Sequence, residues 1–146
     1  MFAMLIYYIT APKSLSAVHL PHFINRVSAG FPSPAEDYMY KSLDLNELMI
    51  KRPSATFFCR VSGESMRDLG IFDGDLLVVD RAVTPYHGAV VLAAVNGELA
   101  CKILDTRNQL LRSANPHYAP IPVGDSDLVI EGVISFSVRQ HNDRYC

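Results

Sequence analysis

The chain has 146 residues, 49% of them hydrophobic, and a formal net charge of -2. That length supports one domain with a core of its own and is too short for two comfortable ones, and the composition excludes a disordered chain. With no excess of lysine and arginine, direct nucleic-acid binding has no electrostatic footing, so any connection to DNA must run through a partner.

The first nine residues, Met1 to Ile9, are apolar. They lack a basic leader and are too short to cross a bilayer, which argues for an edge strand or docking arm rather than a signal peptide or membrane anchor. Met4 offers a second candidate start. Up to residue 40 the chain holds Pro12, Pro21, Pro32 and Pro34, scattered histidines and no sustained period, with a breaker cluster at Ala29-Gly30-Phe31-Pro32-Ser33-Pro34. Residues 1–40 therefore read as a flexible N-terminal arm, and residues 41–146 as a folded domain. Asp44 followed three residues later by Glu47 supplies the residues of a capping box, which predicts one short helix near 44–50.

Beyond residue 54 the pattern is mainly β. Thr56–Val61 reads as a strand, Leu76–Asp80 follows the turn pair Asp73-Gly74, and Ala89–Val95 and Glu98–Asp105 flank Asn96-Gly97, the strongest short hairpin signal. Gln109–Ser113 and Leu128–Val138 complete the set, the latter alternating Ile134, Phe136 and Val138 with Ser135 and Ser137. A two-residue hairpin sets Val95 opposite Glu98 and hence Val91 opposite Lys102, with Ala100 and Leu104 on the lysine's own face. No carboxylate occupies the adjacent same-face positions. The pattern leaves two readings open: an amine desolvated among apolar neighbours, its pKa pushed down, or a lysine snorkelling out of an exposed strand face.

A neutral lysine is one of the few groups that can activate a serine. Ser65, in the turn-forming stretch after the first of these strands, is the serine to consider, although serine there also suits a plain cap or turn. Two serine signatures are excluded. Arg67 stands where a nucleophile elbow needs glycine, and no serine lies three residues before a lysine. Among His19, His22, His87, His117 and His141 only the first two are close, and Pro21 separates them without a nearby cysteine or carboxylate, so no metal site is expected. Asp73, Asp75 and Asp80 read as turn chemistry rather than a cation site. Cys59 and Cys101 sit in apolar runs and Cys146 is terminal; this odd, widely spaced set suits free thiols in a reducing compartment and predicts a cytoplasmic protein.

Taken together, Ser62-Gly63-Glu64-Ser65-Met66, Asp73-Gly74-Asp75, Val78-Val79-Asp80 and Lys102 resemble the self-cleaving LexA/UmuD family of serine peptidases. Asn115-Pro116-His117-Tyr118 and Glu131-Gly132-Val133-Ile134 match its later landmarks, and the similarity runs from about Ala29 to Phe136. The resemblance implies a LexA/signal-peptidase-like folded β-sheet domain. It implies Ser65 as nucleophile, Lys102 as general base, and the backbone N–H groups of Glu64 and Ser65 as the oxyanion hole. It also implies self-cleavage at a small-residue–Gly bond, which Ala29-Gly30 fits, with no cofactor.

Repressors of that family carry a DNA-binding domain ahead of the bond, for which the residues before Gly30 leave no room. The run from Gly30 to Ala35 is similar to the UmuD branch. That branch implies a homodimer that partners a Y-family, UmuC-like DNA polymerase subunit in error-prone translesion synthesis, within the SOS response to DNA damage. It also implies a RecA–single-stranded DNA filament as the stimulus for cleavage. Two other functions compete: a non-catalytic dimerisation and polymerase-docking module with a vestigial dyad, and a signal peptidase, which shares Ser-Lys chemistry but needs a membrane anchor.

Overall fold

The computed structural model describes residues 4–10, 17, 19–23, 30, 40–124 and 127–143. They fall into two units, Met1–Lys13 with Arg52–Cys146, and Ser14–Lys51. The elements in chain order are β1 (Met4–Thr10), β2 (Leu20–Phe23), β3 (Tyr40–Leu43), α1 (Leu45–Met49), β4 (Thr56–Gly63), β5 (Leu76–Asp80), β6 (Val90–Val95), β7 (Glu98–Asp105), β8 (Leu110–Arg112), β9 (Ile121–Pro122) and β10 (Leu128–Val138).

In the smaller unit β2 and β3 pair antiparallel, with Leu20 opposite Leu43 and Phe23 opposite Tyr40. Neither strand is legible in a segment so broken by proline. Helix α1 begins where the capping residues place it: Asp44 is its N-cap, and its carboxylate accepts from the N–H of Asn46 at 3.0 Å.

The larger unit is one antiparallel sheet of eight strands in the order β1-β4-β5-β10-β6-β7-β8-β9. The fold class is therefore mainly β, as the alternation predicts. The apolar N-terminal run is an edge strand: β1 pairs with β4 from Met4 opposite Gly63 to Thr10 opposite Phe58. β1 also lies close to β7, so the sheet curls on itself. β10 joins the two halves of the sheet, bonding β5 on one side and β6 on the other.

Two apolar clusters fill the curl. One gathers Phe57, Cys59, Val61, Met66, Leu77, Val79, Leu92 and Cys101; the other gathers Ala89, Val91, Ala93, Val95, Leu104, Leu111 and Val133. β6 feeds both, Leu92 to the first and its odd-numbered neighbours to the second. That explains why Val90–Val95 reads as a continuous apolar run rather than an alternating one.

The β6–β7 hairpin turns at Asn96 and Gly97, both left-handed with φ of 50° and 83°, the geometry of a type I′ turn. Its register sets Val91 opposite Lys102 and Val95 opposite Glu98, as the turn pair predicts. β10 is less regular, with register shifts between Ile130 and Gly132 and between Ile134 and Phe136.

At the first shift Gly132 is closely overlain: a Cβ there would stand 2.6 Å from Val79 Cγ1 and 3.1 Å from the Asp80 carbonyl. Gly132→Ala is expected to destabilise the domain by about 1–3 kcal/mol through overpacking, read as a lower denaturant midpoint at unchanged slope. A midpoint equal to that of the parent chain would mean that Val79 moves aside at no cost.

Candidate active site

Ser65 follows β4 directly, in a turn that passes into a 3-10 helix at Arg67–Leu69. Met66 inserts into the first apolar cluster and pins this turn to the sheet. Gly63 is tied down as well, its N–H donating to Asp73 Oδ1 at 2.8 Å. Lys102 lies mid-strand in β7. Because side chains alternate, Cys101 points into the first cluster while Lys102 shares its face with Leu104 of the second.

The two residues meet across a sequence separation of 37: Lys102 Nζ donates to Ser65 Oγ at 2.9 Å. Ser65 is 0% exposed and Lys102 2% exposed. Of the two readings of the lysine left open by the pattern, the structure adopts the desolvated amine. None of the ion pairs among the described residues includes Lys102.

Burial of the ammonium pushes the Lys102 pKa below its ordinary 10.5. A thiolate at Cys101 would oppose that shift, but burial also pushes the Cys101 thiol up to about 12, so the sulfur stays neutral across the range in which the lysine titrates. Cys59 is raised to about 12 by burial too, and both thiols are free. They are packing residues. Cys146 lies outside the described residues.

A cleft of about 300 Å³ opens beside the amine, lined by Lys102, Ser113 and the segment Tyr118–Pro122.

Two braces that the sequence does not advertise hold the serine turn. Asn115 Nδ2 donates to the Glu64 carbonyl at 3.0 Å, and Asp68 N–H donates to the Ala114 carbonyl at 2.8 Å. On the far side, Arg139 at the end of β10 reaches Asp75 in bidentate fashion, Nε to Oδ1 and Nη2 to Oδ2, both at 2.8 Å. Arg139 Nη2 also donates to the Gly70 carbonyl, and the guanidinium stacks 4.0 Å from the Phe72 ring centroid. Burial alone would raise the Asp75 carboxyl, but the bonds from Arg139 and from the Phe72 N–H outweigh it and hold the pKa below the usual range. The only signals of these braces are an Asn-Pro turn pair and an arginine past the end of a strand.

The other polar candidates serve the fold. Asp80 pairs with Arg52 and accepts from the Ala82 N–H. His87 accepts from the Thr106 N–H. Asp105 is bonded by Asn108 and Arg112, which hold its carboxyl far below the usual range. His19 lies 3.3 Å from Ser42 Oγ. No group of three potential metal ligands occurs among the described residues. Gly30 is described and exposed, whereas Ala29 lies outside the described residues.

With the geometry in view, comparison with known proteins identifies its class. The family model described as "Peptidase S24-like" matches residues 21–135. The chain belongs to the peptidase S24-like family. It is 50% identical over 125 residues to the protein ImpA of Salmonella typhimurium, covering 83% of this chain and 81% of that one. It is 44% identical over 131 residues to the protein MucA of Escherichia coli, covering 86% and 89%. It is 41% identical over 121 residues to the LexA repressor of Pseudomonas chlororaphis, covering 80% of this chain and 59% of the repressor. In this S24-like domain, then, an S24-like curled sheet carries a buried serine–lysine contact. Among the described residues no helix is long and apolar enough to cross a membrane.

The buried amine has a thermodynamic signature. Its folded pKa lies below the unfolded value near 10.5, so between the two the unfolded chain holds more protons and stability rises with pH. Below the folded pKa the penalty is fully present, and above 10.5 it is gone. Lys102→Met, of similar length and uncharged, is therefore expected to raise the melting temperature at neutral pH by about 2–8 °C. Calorimetry at pH 7 and near pH 10.5 checks this: the gain should shrink at the higher pH, and a destabilised variant would mean that the amine is not held at a cost.

Proposed function

We propose that this chain is a self-cleaving serine peptidase that cuts its own Ala29-Gly30 bond with a Ser65–Lys102 dyad. The observation that carries the reading is the 2.9 Å contact between a fully buried hydroxyl and a fully buried amine that no carboxylate pairs among the described residues. A structural lysine does not need to be kept dry and unpaired, whereas a general base does. Membership of a peptidase family supports the same reading.

The chemistry runs as follows. With the amine neutral, the Ser65 hydroxyl donates to the Nζ lone pair and gives up its proton there as Oγ attacks the Ala29 carbonyl carbon. The backbone N–H groups of Glu64 and Ser65 take the oxyanion. Collapse breaks the Ala29–Gly30 C–N bond, the proton passes from Lys102 to the departing Gly30 amine, and Ala29 remains as an ester on Oγ. Lys102 then takes a proton from a water as its oxygen attacks the ester carbonyl; the Ala29 C–Oγ bond breaks, the proton returns from Lys102 to Oγ, and Ala29 leaves as a free carboxyl. Glycine on the leaving side permits a tight backbone bend, and alanine suits a shallow pocket. Cleavage is slow until a partner favours the docked segment, because the reacting conformer must first be populated.

In this proposal the trimmed chain is a homodimeric, cytoplasmic accessory subunit of a Y-family, UmuC-like polymerase in SOS mutagenesis. A RecA–single-stranded DNA filament acts as the co-protease. Its support is the similarity to the UmuD branch and the lack of a basic excess, which leaves contact with DNA to partners.

Incubation of the pure protein at alkaline pH should yield a fragment beginning at Gly30, seen by intact mass. Ser65→Ala and Lys102→Ala should each remove it, with the rate falling by at least about 10⁴-fold while the fold is retained. Gly30→Glu should block cutting at that bond. The first-order rate should rise with pH through the folded pKa of Lys102, which lies below 10.5, and then level off, since only the free amine accepts a proton. A parent chain that stays whole under these conditions and with the filament would favour the docking module with a vestigial dyad.

A further inference from the structure

Asn115 is 5% exposed, and its side-chain oxygen, its side-chain nitrogen and its carbonyl are all hydrogen-bonded. Oδ1 accepts from the His117 N–H at 3.0 Å and its carbonyl accepts from the Tyr118 N–H at 3.1 Å, so it makes its own turn. That turn aims Nδ2 outward, across 51 residues of sequence, to the Glu64 carbonyl at 3.0 Å. The same carbonyl receives the Arg67 N–H at 3.2 Å. Two donors on one carbonyl fix the plane of the Glu64–Ser65 peptide. In a planar trans peptide the C=O and the N–H point in opposite directions, so fixing one aims the other. The N–H so aimed is that of Ser65. The Asp68-to-Ala114 bond, immediately beside, stops the two segments from sliding.

We propose that Asn115 is a positioning residue for catalysis: by holding the Glu64 carbonyl it orients the Ser65 N–H toward the oxyanion and sets the serine hydroxyl against Lys102. This rests on Ser65 being the nucleophile. Asn115 touches neither the hydroxyl nor the amine; it acts through one peptide plane. Preorganised donors gain their effect from not having to reorient as charge develops, so a peptide free to rotate loses it.

The test uses the full chain with two substitutions. Asn115→Asp keeps the shape and the turn acceptor but has no donor for the Glu64 carbonyl. Asn115→Ser is neutral and too short to reach it. Self-cleavage is followed against pH, folded fraction is followed by near-ultraviolet circular dichroism, and Ser65 is probed with a small fluorophosphonate. In that probe reaction an Oγ–P bond forms as the P–F bond breaks, fluoride leaves, the hydroxyl proton passes to Lys102, and the phosphoryl oxygen occupies the oxyanion position.

Both variants should stay folded, and their plateau rates of cleavage and of phosphonylation should fall together by about 10²-fold or more. In the neutral Asn115→Ser protein the pH midpoint should not move, because the environment of Lys102 is unchanged. A merely structural asparagine would lower the rate only in proportion to the folded fraction, and that result overturns the proposal. So does a folded variant with the parent rate, or a shifted midpoint with an intact plateau, which would assign Asn115 to the lysine instead. A parent chain whose Ser65 is not phosphonylated removes the nucleophile itself, and the proposal falls with it.

Discussion

The proposed chemistry of this domain depends on keeping one amine out of water beside one hydroxyl. A lysine in the middle of a strand would ordinarily extend its stem and place its charge in solvent. Lys102 does not, because Val91 stands opposite it, Leu104 follows on the same face, and the Ser65 turn closes over its end. Desolvation then disfavours the ammonium, and the Ser65 hydroxyl, 2.9 Å away, is its partner. The surrounding sheet supplies that dry setting, with an apolar cluster on each face of β6.

The serine is positioned by a different logic. Its turn belongs to no regular element and would be free to drift if it were joined only to β4. Met66 anchors it from beneath, Asn115 and Ala114 hold it from the β8–β9 connection, and Arg139 braces the following segment at Asp75 and Gly70. Groups from two distant parts of the chain, Ala114-Asn115 and Arg139, thus converge on the segment from Glu64 to Asp75. The sheet supplies the amine, and a braced turn supplies the hydroxyl. Their 2.9 Å separation is a property of the tertiary fold rather than of any local motif.

That division explains what was legible in the sequence. Asn96-Gly97 selects a two-residue hairpin, and from that turn alone the register of Lys102 against Val91 follows. The helix cap at Asp44 and the strands from Thr56 onward follow from equally local rules, except the two-residue β9 at Ile121–Pro122, which is too short to carry a pattern. Local rules could not distinguish a buried lysine from a snorkelling one, because the answer depends on the turn bearing Ser65. That turn arrives from 37 residues away, and only resemblance to a family joined the two. The shifts in β10 were hidden because a bulge leaves the composition of a strand unchanged. β2 and β3 were hidden because their pairing spans a proline-rich segment. Asn115 reads as a turn residue, which it is; its outward bond to Glu64 has no sequence signal of its own.

The central claim is that burial disfavours the charged form of the amine at position 102. The most direct measurement is a pH titration of the Lys102 side chain itself, followed by the ¹³Cε chemical shift in selectively labelled, uncleaved protein. The account predicts a single midpoint displaced below 10.5, toward neutrality. A midpoint at or above 10.5 would show an ordinary or stabilised ammonium, and would contradict it.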